Sequence, residues 1–323
     1  MTLVHAAVVK NTKSVVENKI KNNLIKDGKM MASKVYFTKE ITPESLTKIY
    51  EKLGRKLKPK TAVKISTGEP GGHNFLNPNL ISKLVNALNA TIVECCTAYS
   101  GKRFNTKDHW QAIKDHGFAK IAPCDIMDEE GEIKIPVKGG GHLKGYNIVG
   151  DHIKNYNSML MLSHFKGHMM GGFGGALKNM SIGVASKKGK AWIHSVGITD
   201  DTNECWKHID DQDGFLESMA EACKGVIDYF GSENMAYINV ANNLSIDCDC
   251  VPNPKEPEMA DIGIFASLDP VALDKCCYDA IINSKDSGKM SLINRMKERH
   301  AIHIIEAAEK LGIGTSNYEI INI

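Results

Sequence analysis

Aromatic side chains make up only 7% of this 323-residue chain, so a base-stacking surface for single-stranded nucleic acid is not expected. Bulk charge is missing too. Forty basic against 38 acidic side chains leave a formal net charge of +2, which excludes a chain held to nucleic acid or a membrane surface by electrostatics alone. No run of 18 apolar residues occurs, which excludes a transmembrane helix. Nine cysteines are an odd number without the spacing of a small secreted scaffold, so reduced thiols in a cytoplasmic protein are expected rather than a disulfide framework. A P-loop, a GxGxxG turn, a GxSxG elbow, an HExxH pair and an EF-hand loop are all absent, and nothing supports a serine nucleophile. What the chain does have is 28 Gly, 14 Met and 12 His.

Residues 1–33 are polar and rich in Lys and Asn, and Met30-Met31-Ala32-Ser33 leads into the strand-like Lys34-Val35-Tyr36-Phe37. Two readings fit: an extension ahead of a natural start at Met30 or Met31, or a short amphipathic helix packed on a domain spanning 34–323. From there strand and helix patterns alternate. Strands are expected at 35–37, 62–65, 91–95, 236–240 and 261–266, and the run Ser158-Met159-Leu160-Met161-Leu162 has the continuous apolarity of a strand buried on both faces. Thr42-Pro43-Glu44-Ser45 opens a helix with a capping box, Asn79 is read as the cap of the next, and further helices are expected at 109–116, 214–229, 269–282 and 302–312. This rhythm predicts an α/β fold, a mostly parallel sheet flanked by helices. A small antiparallel insertion is expected around 125–150, where Glu132-Ile133-Lys134-Ile135-Pro136-Val137 alternates and Gly139-Gly140-Gly141 follows.

Four segments carry possible chemistry, and each has a plain alternative. Ser66-Thr67-Gly68-Glu69-Pro70-Gly71-Gly72-His73 follows a strand, where α/β folds place ligands; Gly71 and Gly72 would let backbone N–H groups approach one, or merely make a flexible loop. In Gly101-Lys102-Arg103-Phe104-Asn105-Thr106, Arg103 could clamp a carboxylate or phosphate, with Asn105 and Thr106 as neutral donors that also suit a helix start. The third runs from His164-Phe165-Lys166-Gly167-His168 to Gly172-Phe173-Gly174-Gly175-Ala176-Leu177-Lys178-Asn179. His164 and His168 could ligate a metal or act as acid and base, with His194 completing the set, while Lys166 and Lys178 supply positive charge. Gly174, Gly175 and Asn179 would line the ligand site; the plain reading is tight packing and surface histidines. The fourth is Asp247-Cys248-Asp249-Cys250, where Cys248 and Cys250 offer two thiolates; a four-thiolate iron–sulfur cluster would need two more. The adjacent pair Cys276-Cys277 reads as helix packing.

Together with Ser267-Leu268-Asp269-Pro270-Val271-Ala272-Leu273-Asp274, these segments resemble the DUF362 family, from about Lys34 to the C-terminus. Members of that family are described as iron–sulfur centre proteins, and many carry a cysteine-rich, ferredoxin-like insert after the segment matching His194-Ser195. Between Thr199 and Gly231 this chain has only Cys205 and Cys223, so the resemblance implies the family domain without the insert. Gly172-Phe173-Gly174-Gly175-Ala176-Leu177-Lys178 is also similar to the glycine-rich, lysine-containing segment of nickel-pincer lactate racemases, in which His and Lys hold a pyridinium-derived cofactor and carry out proton or hydride chemistry.

The expected function is therefore metal-binding or redox-related, with a glycine-rich cleft for a small anionic ligand and a transition metal or iron–sulfur cluster as cofactor. An oxidoreductase or an isomerase fits. The alternative is a noncatalytic carrier of a metal or organic anion.

Overall fold

The computed structural model describes residues 32–323 and, ahead of them, the antiparallel pairing of Ile25–Lys26 with Lys29–Met30. The two readings of the N-terminal segment otherwise lie outside the described residues. In chain order the strands are β1 (Ser33–Thr38), β2 (Thr61–Lys64), β3 (Thr91–Glu94), β4 (Cys124–Ile126), β5 (Glu132–Pro136), β6 (Tyr146–Gly150), β7 (Ser158–His164), β8 (Lys166–His168), β9 (Gly172–Gly174), β10 (Met235–Ala241), β11 (Gly263–Ser267) and β12 (Tyr318–Asn322). The helices are α1 (Pro43–Lys52), α2 (Pro78–Ala87), α3 (Thr106–Asp115), the single turn α4 (Ala176–Lys178), α5 (Lys187–His194), α6 (Gln212–Phe230), α7 (Pro270–Ile282), α8 (Lys289–Glu298) and α9 (His303–Lys310).

Eight strands form one sheet in the order β12-β1-β11-β10-β7-β2-β3-β4. Only β11 runs against its neighbours, so the mostly parallel sheet read from the sequence is present. The insertion is present as well: β5 and β6 pair antiparallel. No helix among the described residues is long and apolar enough to cross a membrane.

Side chains alternate across the buried strands, and each set meets its own helical layer. From β7, Met159 and Met161 join one core with Leu216 and Met219 of α6 and Val271 of α7. Leu160 and Leu162 face the opposite core, with Leu46 of α1 and Ile81 and Leu84 of α2. Burying such a side chain contributes about 1.5–3 kcal/mol, which is why the apolar run at 158–162 settles at the centre of the sheet.

Local signals explain most helix starts. Thr42 and Ser45 form the predicted capping box on α1. The next cap is two residues earlier than read: Asn77, not Asn79, accepts the N–H of Asn79, because Pro78 takes the first helical position. Helix α3 begins at Thr106 because Asn105 caps it through the N–H of Asp108. Helices α5 and α8 and the edge strands β4 and β12 escape the sequence reading, being short and polar or set by pairing.

The run Gly139-Gly140-Gly141 has a definite task. Gly141 and His142 donate backbone N–H groups to Glu221 Oε1 at 2.8 and 3.0 Å, and Leu143 donates to Oε2 at 2.8 Å. A Cβ on Gly140 would lie 2.1 Å from Glu221 Cδ, so only glycine permits this approach. The nest thus binds an internal carboxylate from α6. Glu221→Ala should strand three backbone donors and lower stability by on the order of 3 kcal/mol, seen as a lower urea midpoint with an unchanged slope.

Candidate functional site

Strands β2, β3, β7 and β10 are mutually parallel, so their carboxyl ends share one edge of the sheet. A cavity of about 210 Å³ opens there, the place at which parallel α/β sheets bind ligands. Its walls come from the ends of β2, β3 and β7, the loops that follow β2 and β3, the ribbon β8–β9, α4 and α5.

One wall holds an imidazole and two thiols. Donor atoms of His168, Cys248 and Cys250 lie within 4.8 Å of one another, and His168 and Cys250 line the cavity. The backbone N–H of Cys250 donates to Cys248 Sγ at 3.2 Å. Cys248 is pulled well below an ordinary thiol, first by the hydrogen bond from the Cys250 thiol and then, against burial, by the Lys178 charge and His168. Cys250 is pushed up by the same bond and by burial. Burial holds His168 below its ordinary value, hence neutral, and its Nδ1 accepts the N–H of Gly171 at 2.9 Å.

Behind this wall stands a charged triad. Asp249 accepts from His164 Nδ1 at 2.8 Å and from Lys166 Nζ at 2.6 Å, all three buried. Burial alone would raise the Asp249 carboxyl, but His164 and Lys166 hold it well below the usual range. The other nitrogen of His164 meets the carbonyl of Asn242 at 2.6 Å. Both ring nitrogens therefore face acceptors and donate, which leaves no lone pair for a metal. The expected ligand role of His164 is thus not available in this arrangement, and Lys166 is likewise engaged.

A second buried network lies along β2 and β3. Lys64 Nζ donates to Glu94 at 2.7 Å, and Arg103 reaches Glu69 at 3.0 Å, Glu94 at 3.4 Å and the Tyr99 hydroxyl at 3.0 Å. Arg103 does line the cavity, but each of its three guanidinium nitrogens already donates to a protein partner. Asn179 also lines it and donates to the Lys64 carbonyl at 2.9 Å and to Ser163 Oγ at 3.1 Å.

The groups left open are few. Lys178 lines the cavity, and its ammonium has no hydrogen-bond or acidic partner among the described residues. Lys190, buried on α5, donates only to the Ala185 carbonyl. His194, one turn further along α5, donates from Nδ1 to the Lys190 carbonyl at 2.7 Å, so its neutral ring carries the lone pair on Nε2. Burial brings this imidazole down to about 4. It packs between Phe215 and Trp206, with ring centroids 5.0 and 5.3 Å away.

Other expected ligand contacts fall elsewhere. Gly71 and Gly72 do not line the cavity; a Cβ on Gly71 would lie 2.7 Å from the Pro252 carbonyl oxygen, and one on Gly72 3.2 Å from that of Val251. They let the first loop pack on the cysteine loop, where Glu69 N–H also donates to the Asp249 carbonyl at 2.8 Å. Asn105 is occupied as the α3 cap, and Thr106 lies beside Cys96. Gly174 and Gly175 do line the cavity, but a Cβ on Gly175 would meet Asp274 Oδ1 at 2.5 Å. Asp274 accepts the N–H groups of Ala176 and Leu177 at 2.8 and 2.9 Å and holds α4 in place. Burial pushes its carboxyl up to about 6.

Sequence reasoning missed Lys64, Glu94 and Lys190. For the first two the signal was a charge within an otherwise apolar strand, which demands a buried partner. Lys190 hides in Lys187-Lys188-Gly189-Lys190, which reads as a solvated run although the last of its three lysines is buried. Removing one partner of a buried charge cluster costs about 3–5 kcal/mol, so Asp249→Asn should destabilise the protein by that amount in chemical denaturation.

No curated protein matches the chain. Solved structures are similar to it, two of them as follows. One is the lactate racemase apoprotein from Thermoanaerobacterium thermosaccharolyticum, at 13% identity and a TM-score of 0.44, covering 79% of this chain and 58% of that one. The other is a Thermotoga maritima protein at 12% identity and a TM-score of 0.42, covering 84% of this chain and 59% of that one. This chain thus spans less than two thirds of either protein. A family model described as a domain of unknown function matches residues 61–279, a span that holds every cavity residue from Lys64 to His194 together with the cysteine loop and Asp274, and the chain belongs to that family, DUF362.

Proposed function

We propose that this chain is a metal-dependent enzyme of the isomerase type, acting on a small anionic substrate. The observation that carries the reading is the convergence of His168, Cys248 and Cys250, two of which, His168 and Cys250, line the cavity. Two thiol sulfurs and an imidazole suit a single transition-metal ion with an open position, as in catalytic zinc sites with two Cys and one His. A four-thiolate cluster does not fit the described residues. Cys95, Cys124, Cys205 and Cys223 each donate to a backbone carbonyl of their own surroundings, and Cys276 and Cys277 are packed on α7.

A divalent ion held there would supply Lewis-acid polarisation of a substrate oxygen. The chain's own groups support proton transfer. His194 Nε2 is a proton acceptor fixed in orientation by the Nδ1–H bond to Lys190, and Lys178 offers its ammonium to an anion. That acceptor favours an isomerase over an oxidoreductase. The nine unpaired cysteines support a reducing, cytoplasmic setting.

Anaerobically purified protein should contain about one equivalent of metal by mass spectrometry, retained in Cys276→Ser and lost in Cys248→Ser, Cys250→Ser and His168→Ala. Full metal content in any of the last three would overturn the ligand set. The metal-loaded protein should also catalyse exchange of solvent deuterium into the α-carbon of small 2-hydroxy or 2-oxo acids. His194→Ala should slow that exchange at least 100-fold with metal content unchanged. Stoichiometric metal without exchange would favour the noncatalytic carrier.

A further inference from the structure

The cations around the cavity divide into two kinds. Lys64, Arg103 and Lys166 each have an acidic partner, Glu94, Glu69 and Asp249, at 2.7, 3.0 and 2.6 Å. Lys178 and Lys190 line the same cavity, and neither has a carboxylate within 4 Å among the described residues. Lys190 is 6% exposed and uses one of its three N–H donors, on Ala185. A buried ammonium is strongly unfavourable without compensation. The Asp128 carboxylate acts on Lys190 but forms no direct ion pair with it, and it already accepts the backbone N–H groups of Cys96 and Lys187. An anion in the cavity would therefore gain from both ammonium groups.

The two charges also address one place. Lys190 and His194 are four residues apart on α5 and share a face, and both lie on the cavity wall. The charges of Lys178 and Lys190 both act on the His194 ring. The cavity, about 210 Å³, falls below the ~300 Å³ lower end for drug-sized ligands, which limits the occupant to a small molecule.

We infer that Lys178 and Lys190 form a subsite for a small dianion, one ammonium for each negative charge, beside the His194 nitrogen. Dicarboxylates and phosphate monoesters share that chemistry. The inference rests on this cavity being the substrate site proposed above, but not on the metal.

Isothermal titration of the intact protein at constant ionic strength, with acetate, malonate and inorganic phosphate as probes, tests it. At least one dianion should bind ten-fold or more tighter than acetate; malonate and phosphate arms separate the two sources. Lys190→Gln keeps a donor for Ala185 and removes the charge, and Lys178→Met removes the other. Each should weaken dianion binding at least ten-fold, with acetate affected less and metal content unchanged. Equal affinity for all three probes, or dianion affinity unchanged in both variants, would overturn the subsite. Dianion preference in protein without metal would leave the subsite standing and remove the metal reading, so the two fail separately.

Discussion

The buried carboxylate of Asp249 is the contact on which the site depends. It lies between the two thiols in sequence and between His164 and Lys166 in space, so one residue ties the cysteine loop to the end of β7 and the start of β8. Dehydrating three charged groups is costly, and only close geometry offsets it. Because Cys248 and Cys250 flank that anchor, neither sulfur can move far without opening an ion pair. Gly167 adds a steric condition: a Cβ there would sit 2.3 Å from the Ile246 carbonyl oxygen, where its own N–H donates to Ser245 at 2.9 Å. Ribbon and cysteine loop are thus clamped by charge on one side and by close backbone approach on the other.

The glycines follow the same logic. Gly172 faces Ala301, Gly175 faces Asp274 and Gly183 faces Asn179 and Lys64, each closer than a methyl group allows. Their conformational cost is met mainly by packing and internal hydrogen bonds rather than by a ligand touching the backbone. Gly174 is the exception, with nothing nearer than Lys166 Cε at 4.0 Å.

Much of the fold was legible because burial is periodic. The run at 158–162 can only be a central strand, and Thr42-Pro43-Glu44-Ser45 carries its own start signal. The glycine-rich segment and the cysteine loop were also readable as one site, since both follow parallel strands that end on the same edge. Roles within the site were not readable. His164 and His168 have the same side chain four residues apart, yet one donates from both nitrogens into a charged triad and the other presents its ring to two thiols. What separates them is the position of Asp249, 85 residues away from His164. Lys190 was hidden for a related reason: its inward turn depends on where α5 packs, not on its neighbours in the chain.

Pairing separates scaffold from function here. Every charge that holds walls together has a partner of opposite sign at 2.6–3.4 Å: Lys64 with Glu94, Arg103 with Glu69 and Glu94, Lys166 and His164 with Asp249. Such groups resist movement and proton exchange, because either would strand a buried charge. Among the cavity-lining residues, Lys178 and Lys190 have no acidic partner within 4 Å, and Nε2 of His194 has no hydrogen-bond partner among the described residues. Other unpartnered polar atoms, such as both ring nitrogens of His109 and the Ser218 hydroxyl, are buried outside the cavity lining. What distinguishes Lys178, Lys190 and His194 is that they meet at one cavity whose other charged residues are fixed in ion pairs, the arrangement that the proposed function requires. Electrostatic preorganisation of this kind is how a rigid site stabilises charge at little reorganisation cost.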